Sequence, residues 1–194
     1  SYAVFCLKKI FFFFFLMIRR PPRSTHCISS AASDVYKRQG RKVSLTLSDG
    51  FCVDRHRPDF VDLVADGVDI LFANEDEIMK LYGVDSFDAG VAAVRGVCDI
   101  AAVTRGRHGS VIVTAQDVVP VQAHQVAKRV DTTGAGDLYA SGFLYGWATG
   151  RPLHECGRLG SIAAAAVIGH MGPCLLYTSP SPRDLSTSRM PSSA

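Results

Sequence analysis

Cysteine is scarce and scattered in this chain. Six occur in 194 residues, and between positions 40 and 173 only Cys52, Cys98 and Cys156 remain, with no Cys-x-x-Cys pair. That spacing excludes a disulfide framework or a zinc site there, and suggests reduced, intracellular thiols. No Gly-x-x-x-x-Gly-Lys-Ser/Thr run occurs, which excludes a Walker A loop. Gly134 and Gly136 are followed by Tyr139 where a dinucleotide fingerprint needs its third glycine. The apolar run Ile10–Ile18 is far shorter than the about 20 residues of a membrane-spanning helix. Acidic residues are nearly missing from the two ends. Net charge is +3 overall, yet positions 40–173 hold 12 basic and 16 acidic side chains. The other 60 positions hold 9 basic and 2 acidic. The middle is therefore too acidic for a nucleic-acid binder and apolar enough to build a core.

The ends have a character of their own. Lys8 and Lys9 ahead of Ile10–Ile18, with small residues from Ser29 to Ala32, mimic a secretory signal. Back-translation gives a different reading. Leu16 to Thr25 and Ser29 to Gln39 resemble translated short-read sequencing adapters. The reverse complement of a string encoding Ser29 to Gln39, in a shifted frame, gives Cys174-Leu175-Leu176-Tyr177-Thr178-Ser179. One end encoding the complement of the other has no explanation at the protein level. The expected organisation is thus 1–39 and 174–194 non-native and disordered, with 16–39 and 174–194 adapter-derived, flanking a gene fragment at 40–173.

Within 40–173 strands and helices alternate. Val43 to Ser48 has the period-two pattern of a strand, and Pro58 suits the first turn of a helix closing at Gly67. Asp69 to Ala73 is a short apolar run suited to a buried strand. Ile78, Leu81 and Tyr82 share a helix face that stops at Gly83, and Ser86 can cap a helix striped by Phe87, Val91 and Val94. Three strands are expected at Ile100 to Thr104, Ser110 to Thr114 and Val118 to Gln122, and two helices at Ala135 to Ala148 and Leu153 to His170. Such interleaving predicts an α/β fold with a mostly parallel sheet covered on both faces.

The sharpest constellation is Asp131-Thr132-Thr133-Gly134-Ala135-Gly136-Asp137 before an apolar helix. Glycines there allow close approach to the backbone. The amides from Gly134 to Asp137 are expected to be unpaired at the positive end of the helix dipole, an anion hole suited to a transferring phosphoryl group. Asp137 would be self-defeating inside an anion hole unless it accepts the proton of an attacking hydroxyl. Capping alone explains Asp131, Thr132 or Thr133 ahead of the helix. It does not explain two glycines bracketing Ala135 with a second Asp inside.

With Leu138 to Phe143 following, this motif resembles the C-terminal signature of the PfkB family, the ribokinase-like sugar and nucleoside kinases. The resemblance implies a three-layer α/β/α fold, truncated so that the N-terminal half and its β-sheet lid are missing. It also implies Asp137 as catalytic base, with Gly134, Ala135 and Gly136 as the anion hole. Asn74-Glu75-Asp76-Glu77 resembles the family's Asn-x-x-Glu element, implying Asn74 and Glu77 near magnesium and phosphate. Thr104-Arg105-Gly106-Arg107-His108-Gly109 resembles the Thr-x-Gly-x-x-Gly turn lining the ATP site, implying nucleotide contacts at Thr104, Gly106 and Gly109, with Thr133 beside them. Each of these two motifs alone reads as a dipole-favoured helix start or a plain turn; three in family order read together. His56, His124, His154 and His170 have no partner by spacing, and His108 reads as an exposed loop residue.

The expectation is a cytoplasmic, ATP- and Mg2+-dependent kinase fragment acting on an alcohol of a sugar or nucleoside, closest to bacterial adenosine-kinase-like members. Neither nucleic acid nor membrane is an expected partner. A kinase for another small sugar and a non-catalytic nucleotide-binding module are the alternatives.

Overall fold

The computed structural model describes residues 42–47, 49–126, 128–169 and 171–172. The expectations for 1–39 and 174–194, and those on Ser48 and His170, lie outside the described residues.

The chain opens with strand β1 (Ser44–Thr46), helices α1 (Gly50–Arg55) and α2 (Arg57–Gly67), and strand β2 (Ile70–Asn74). Helices α3 (Glu75–Tyr82) and α4 (Phe87–Val94) lead to β3 (Ile100–Thr104). A 3-10 turn (Gly106–His108) precedes β4 (Ser110–Val113) and β5 (Val118–Val121), and helices α5 (Ala135–Ala148) and α6 (Leu153–Ile168) follow.

Local chemistry sets these boundaries. Asp49 caps α1 by accepting from the Phe51 amide at 2.9 Å, and Ser86 caps α4 by accepting from Ala89 at 3.2 Å. Gly83 ends α3 in the left-handed region at φ 64°, which a side chain would strain. Helix α1 was not anticipated. Helix α6 ends at Ile168, and β4 and β5 each end one residue earlier than the pattern suggested.

The sheet order is β1-β2-β3-β4-β5. Strands β1, β2 and β3 are parallel, β4 is antiparallel to β3, and β5 is antiparallel to β4. Four of the five strands thus run the same way. The reversal at β4 follows from its short connection, because a parallel neighbour needs a crossover of a dozen or more residues.

Alternation along the strands divides the core. Leu71, Ala73, Ala101, Val103 and Val113 face α1 to α4, packing with Val64, Ile78, Leu81 and Val94. Ile70, Phe72, Ile100, Ala102 and Ile112 face α5 and α6, packing with Tyr139, Phe143 and Cys156. Both faces are covered, giving the expected three layers. Helices α5 and α6 approach closely through glycines: a Cβ on Gly142 would lie 2.6 Å from the Leu159 carbonyl oxygen. Phe143 is fully buried and meets Phe72 edge-to-face at 5.4 Å. No helix among the described residues is long and apolar enough to cross a membrane.

Candidate active site

Three parallel strands bring their C-terminal ends to one edge of the sheet, where ligands of open α/β sheets characteristically bind. A cavity of about 280 Å³ opens there. Its walls include Thr46, Asn74 and Thr104 from the ends of β1, β2 and β3, together with Glu77, Gly134, Gly136 and Asp137.

Helix α5 presents its first turn to this space. Gly134 is its N-cap in the left-handed region at φ 78°, a conformation that only glycine adopts without cost. The Ala135 amide donates to the Thr132 carbonyl at 3.1 Å, closing the turn before the helix. Ala135 therefore offers no free N–H, a correction to the expected run of four unpaired amides. Among the described residues, the amides of Gly136 and Asp137 have no protein partner. A Cβ on Gly136 would meet nothing within 4 Å, and both residues line the cavity.

Partial desolvation pushes the Asp137 carboxyl above the ordinary aspartate range, although the residue as a whole is exposed. Asp131 supports the loop behind it. Its carboxylate accepts from the Thr133 amide at 2.9 Å, the Thr133 hydroxyl at 2.8 Å and the Gly172 amide at 3.0 Å. Those bonds hold the Asp131 carboxyl below its usual range, Thr133 first among them.

The opposite wall is a reciprocal capping box. Asn74 Oδ1 accepts from the Glu77 amide at 2.8 Å, and Glu77 Oε2 accepts from the Asn74 amide at 2.9 Å. Glu77 is 6% exposed, and burial raises its carboxyl although the Asn74 amide draws it down. The pair thus caps α3 and also faces the cavity with a carboxylate that has acceptor capacity left. Among the described residues, no group of three His, Cys, Asp or Glu side chains is placed to hold a metal.

The turn after β3 is tied to this wall. Thr104 Oγ1 donates to the Ala73 carbonyl at 3.4 Å, and Arg105 pairs with Glu75 at 3.1 Å while lying 4.0 Å above the Phe87 ring. Gly106, Gly109, Thr133 and Ala135 do not line the cavity. Gly109, at φ 88°, is required for a close approach instead: a Cβ there would sit 2.9 Å from the Ala123 nitrogen.

Other cavity residues were missed as site residues: Thr46, Phe72, Ala73, Ala102, Thr132 and Tyr139. Position at strand ends, and alternation toward α5, were the signals that could have found them.

The profile of the pfkB family carbohydrate kinases matches residues 28–179. The chain belongs to the pfkB family. A solved probable sugar kinase from Rhizobium etli CFN 42 is 47% identical, with a TM-score of 0.74 over 79% of this chain and 46% of its own. The adenosine kinase from Sinorhizobium meliloti is 43% identical, with a TM-score of 0.76 over 87% of this chain and 50% of its own. A cytidine kinase from Thermococcus kodakarensis is 31% identical over 60% of this chain and 42% of its own length. The chain thus spans half or less of the length of each of these pfkB relatives. The pfkB match also takes in positions 28–39 and 174–179 of the flanking stretches.

Proposed function

We propose that this chain is the C-terminal part of an ATP-dependent kinase that phosphorylates an alcohol group of a sugar or nucleoside. The observation that carries the reading is one cavity edged by the Asp137 carboxylate, the unpaired amides of Gly136 and Asp137, and the Asn74–Glu77 pair. In it Asp137 takes the proton of the acceptor hydroxyl, and the two amides donate to the charge that builds on the phosphoryl group. Gly134 sets the turn that aims them, and Ala135 closes it.

The donor set fits both implied groups. Two unpaired amides on residues that line the cavity fit a phosphate. Glu77, with Asn74 beside it, fits a magnesium ion held mainly by water and phosphate, since that ion commonly takes only one or two carboxylates. When bound, the nucleotide supplies the phosphoryl group and the magnesium ion neutralises its charge. Thr104, which lines the cavity, is the proposed nucleotide contact; Gly106, Gly109 and Thr133 lie outside the cavity lining and are proposed only to shape the loops beside it.

A nucleoside acceptor of the adenosine class is favoured by the 43% identity to the Sinorhizobium enzyme, and a sugar acceptor by the 47% identity to the Rhizobium one. The free thiols of Cys52, Cys98 and Cys156 support a cytoplasmic setting. The flanks are proposed as adapter translation, which codons departing from the adapter strings in the original read would reject. The chain alone is expected to transfer little or no phosphate, because it spans half or less of each relative compared.

Asp137→Asn in the complete parent enzyme tests the assignment. The expected result is a fall in kcat of about 10²- to 10⁴-fold with ATP affinity retained. Unchanged turnover would refute it and point to a nucleotide-binding module without catalysis.

A further inference from the structure

The catalytic helix is joined to the sheet mostly by apolar contact, and apolar contact has little direction. Phe143 rests on Phe72, and the Tyr139 ring stacks on Phe143 at 6.4 Å. Such packing carries no hydrogen-bond direction of its own to define the axial register of α5. Something must fix that register, because Asp137 and the two unpaired amides travel with the helix.

One contact has the required direction. The Tyr139 hydroxyl donates to Ser110 Oγ at 2.7 Å, with Tyr139 4% exposed and Ser110 2% exposed. The two ends of this bond are informative. Tyr139 lies two residues after Asp137, about 3 Å along the helix axis, and lines the same cavity. Ser110 opens β4 directly after the Gly106 to Gly109 turn, on the strand paired with the one ending in Thr104.

Two glycines of α6 make room for the ring. A Cβ on Gly160 would stand 3.0 Å from the ring's Cε2, and one on Gly157 would stand 3.4 Å from the hydroxyl oxygen. The two α6 glycines thus form a slot whose depth matches the ring, with the hydroxyl delivered to Ser110 at its end. Because both groups are buried, losing either one strands the other without water to replace it.

We propose that Tyr139 and Ser110 are a positioning pair: their hydrogen bond sets the axial register of α5 against β4. Through it they set where Asp137 and the Gly136 and Asp137 amides stand relative to Thr104 and the turn that follows. The inference rests on Asp137 being the base. It adds that the distance between base and nucleotide turn is controlled by one buried hydroxyl pair rather than by the glycine motif alone.

The test is steady-state kinetics on the complete parent enzyme with Tyr139→Phe, Ser110→Ala, the double variant and Asp137→Asn. Tyr139→Phe keeps the ring and removes only the hydroxyl, and Ser110→Ala provides the same loss from the other side. Each single change is expected to lower kcat about ten-fold, since sub-ångström misplacement of reacting groups is costly. KM for the acceptor is expected to stay within about two-fold, because uniform binding is not what the pair controls. The double variant is expected to be no slower than the slower single one, as both remove the same bond. A merely structural pair would lower the unfolding midpoint and leave kcat at its parent value. Unchanged kcat in both single variants, or losses that multiply in the double, would overturn the proposal. If Asp137→Asn is slow while the pair variants are not, only the positioning role fails. If Asp137→Asn keeps full turnover, the assignment of the base fails first and the positioning role with it.

Discussion

Gly136→Ala separates folding from chemistry, because the two should move in opposite directions. Gly136 lies in the first turn of α5, outside the positive-φ region, and a Cβ placed on it meets nothing within 4 Å. Steric cost is therefore absent, and the alanine restricts the unfolded chain. Alanine is better than glycine in a helix interior by roughly 0.5–1 kcal/mol, and a first-turn position should give the lower part of that range. The parent enzyme should gain about 0.5 kcal/mol in urea unfolding, read at constant slope. The same methyl would project from a residue that lines the cavity, where the proposed phosphoryl group would approach. Turnover should fall by about 10²-fold, the order associated with losing one donor of such a site. Gly134→Ala is the control. At φ 78° it should cost about 1–2 kcal/mol, since a side chain is strained there. A Gly136→Ala enzyme that loses stability, or that turns over at the parent rate, would refute the reasoning.

Partial desolvation raises the Asp137 carboxyl above 3.8 in the folded chain. A carboxyl raised in this way contributes stability that is complete below about 3.8 and is lost as pH rises through the raised value. Asp137→Asn should therefore gain stability relative to the parent at pH 7, and the gain should be gone by about pH 3 in paired urea titrations. If Asp137 is the base, the acid limb of kcat/KM in the parent should lie above 3.8, and a limb at or below it would contradict the partial desolvation of that carboxyl. Phe143→Ala removes a fully buried ring that joins α5 to β2, and should cost about 3–5 kcal/mol by denaturant unfolding. A loss under about 1 kcal/mol would show that the α5 layer is not packed as described.

Much of the architecture was legible because each element carries its own punctuation. Helix α5 begins and ends where expected, and Gly83 and Ser86 mark the α3–α4 junction as their residue types suggest. Helix α1 was not legible. Its six residues make less than two turns, too few for a 3.6-residue period to emerge, and the Asp49 cap is a local feature that also suits a plain turn. At the site, the glycine motif announced the α5 end of the cavity, and the Asn74–Glu77 spacing announced the opposite wall. The Thr132–Ala135 hydrogen bond did not show in the motif, because a turn closing just ahead of a helix depends on backbone path rather than residue type. The Tyr139–Ser110 bond was hidden for a related reason: it spans 29 positions and exists only once α5 lies across the sheet.

The central claim is that one helix start holds both the base and the donors for the migrating phosphoryl group. The most direct measurement is a crystal structure of the complete parent enzyme with a non-hydrolysable ATP analogue and its acceptor. The Asp137 carboxylate is expected at about 2.6–3.2 Å from the acceptor hydroxyl, with the Gly136 and Asp137 amides donating to the terminal phosphate. A terminal phosphate bound elsewhere, with the carboxylate out of hydrogen-bond reach of any acceptor oxygen, would contradict it.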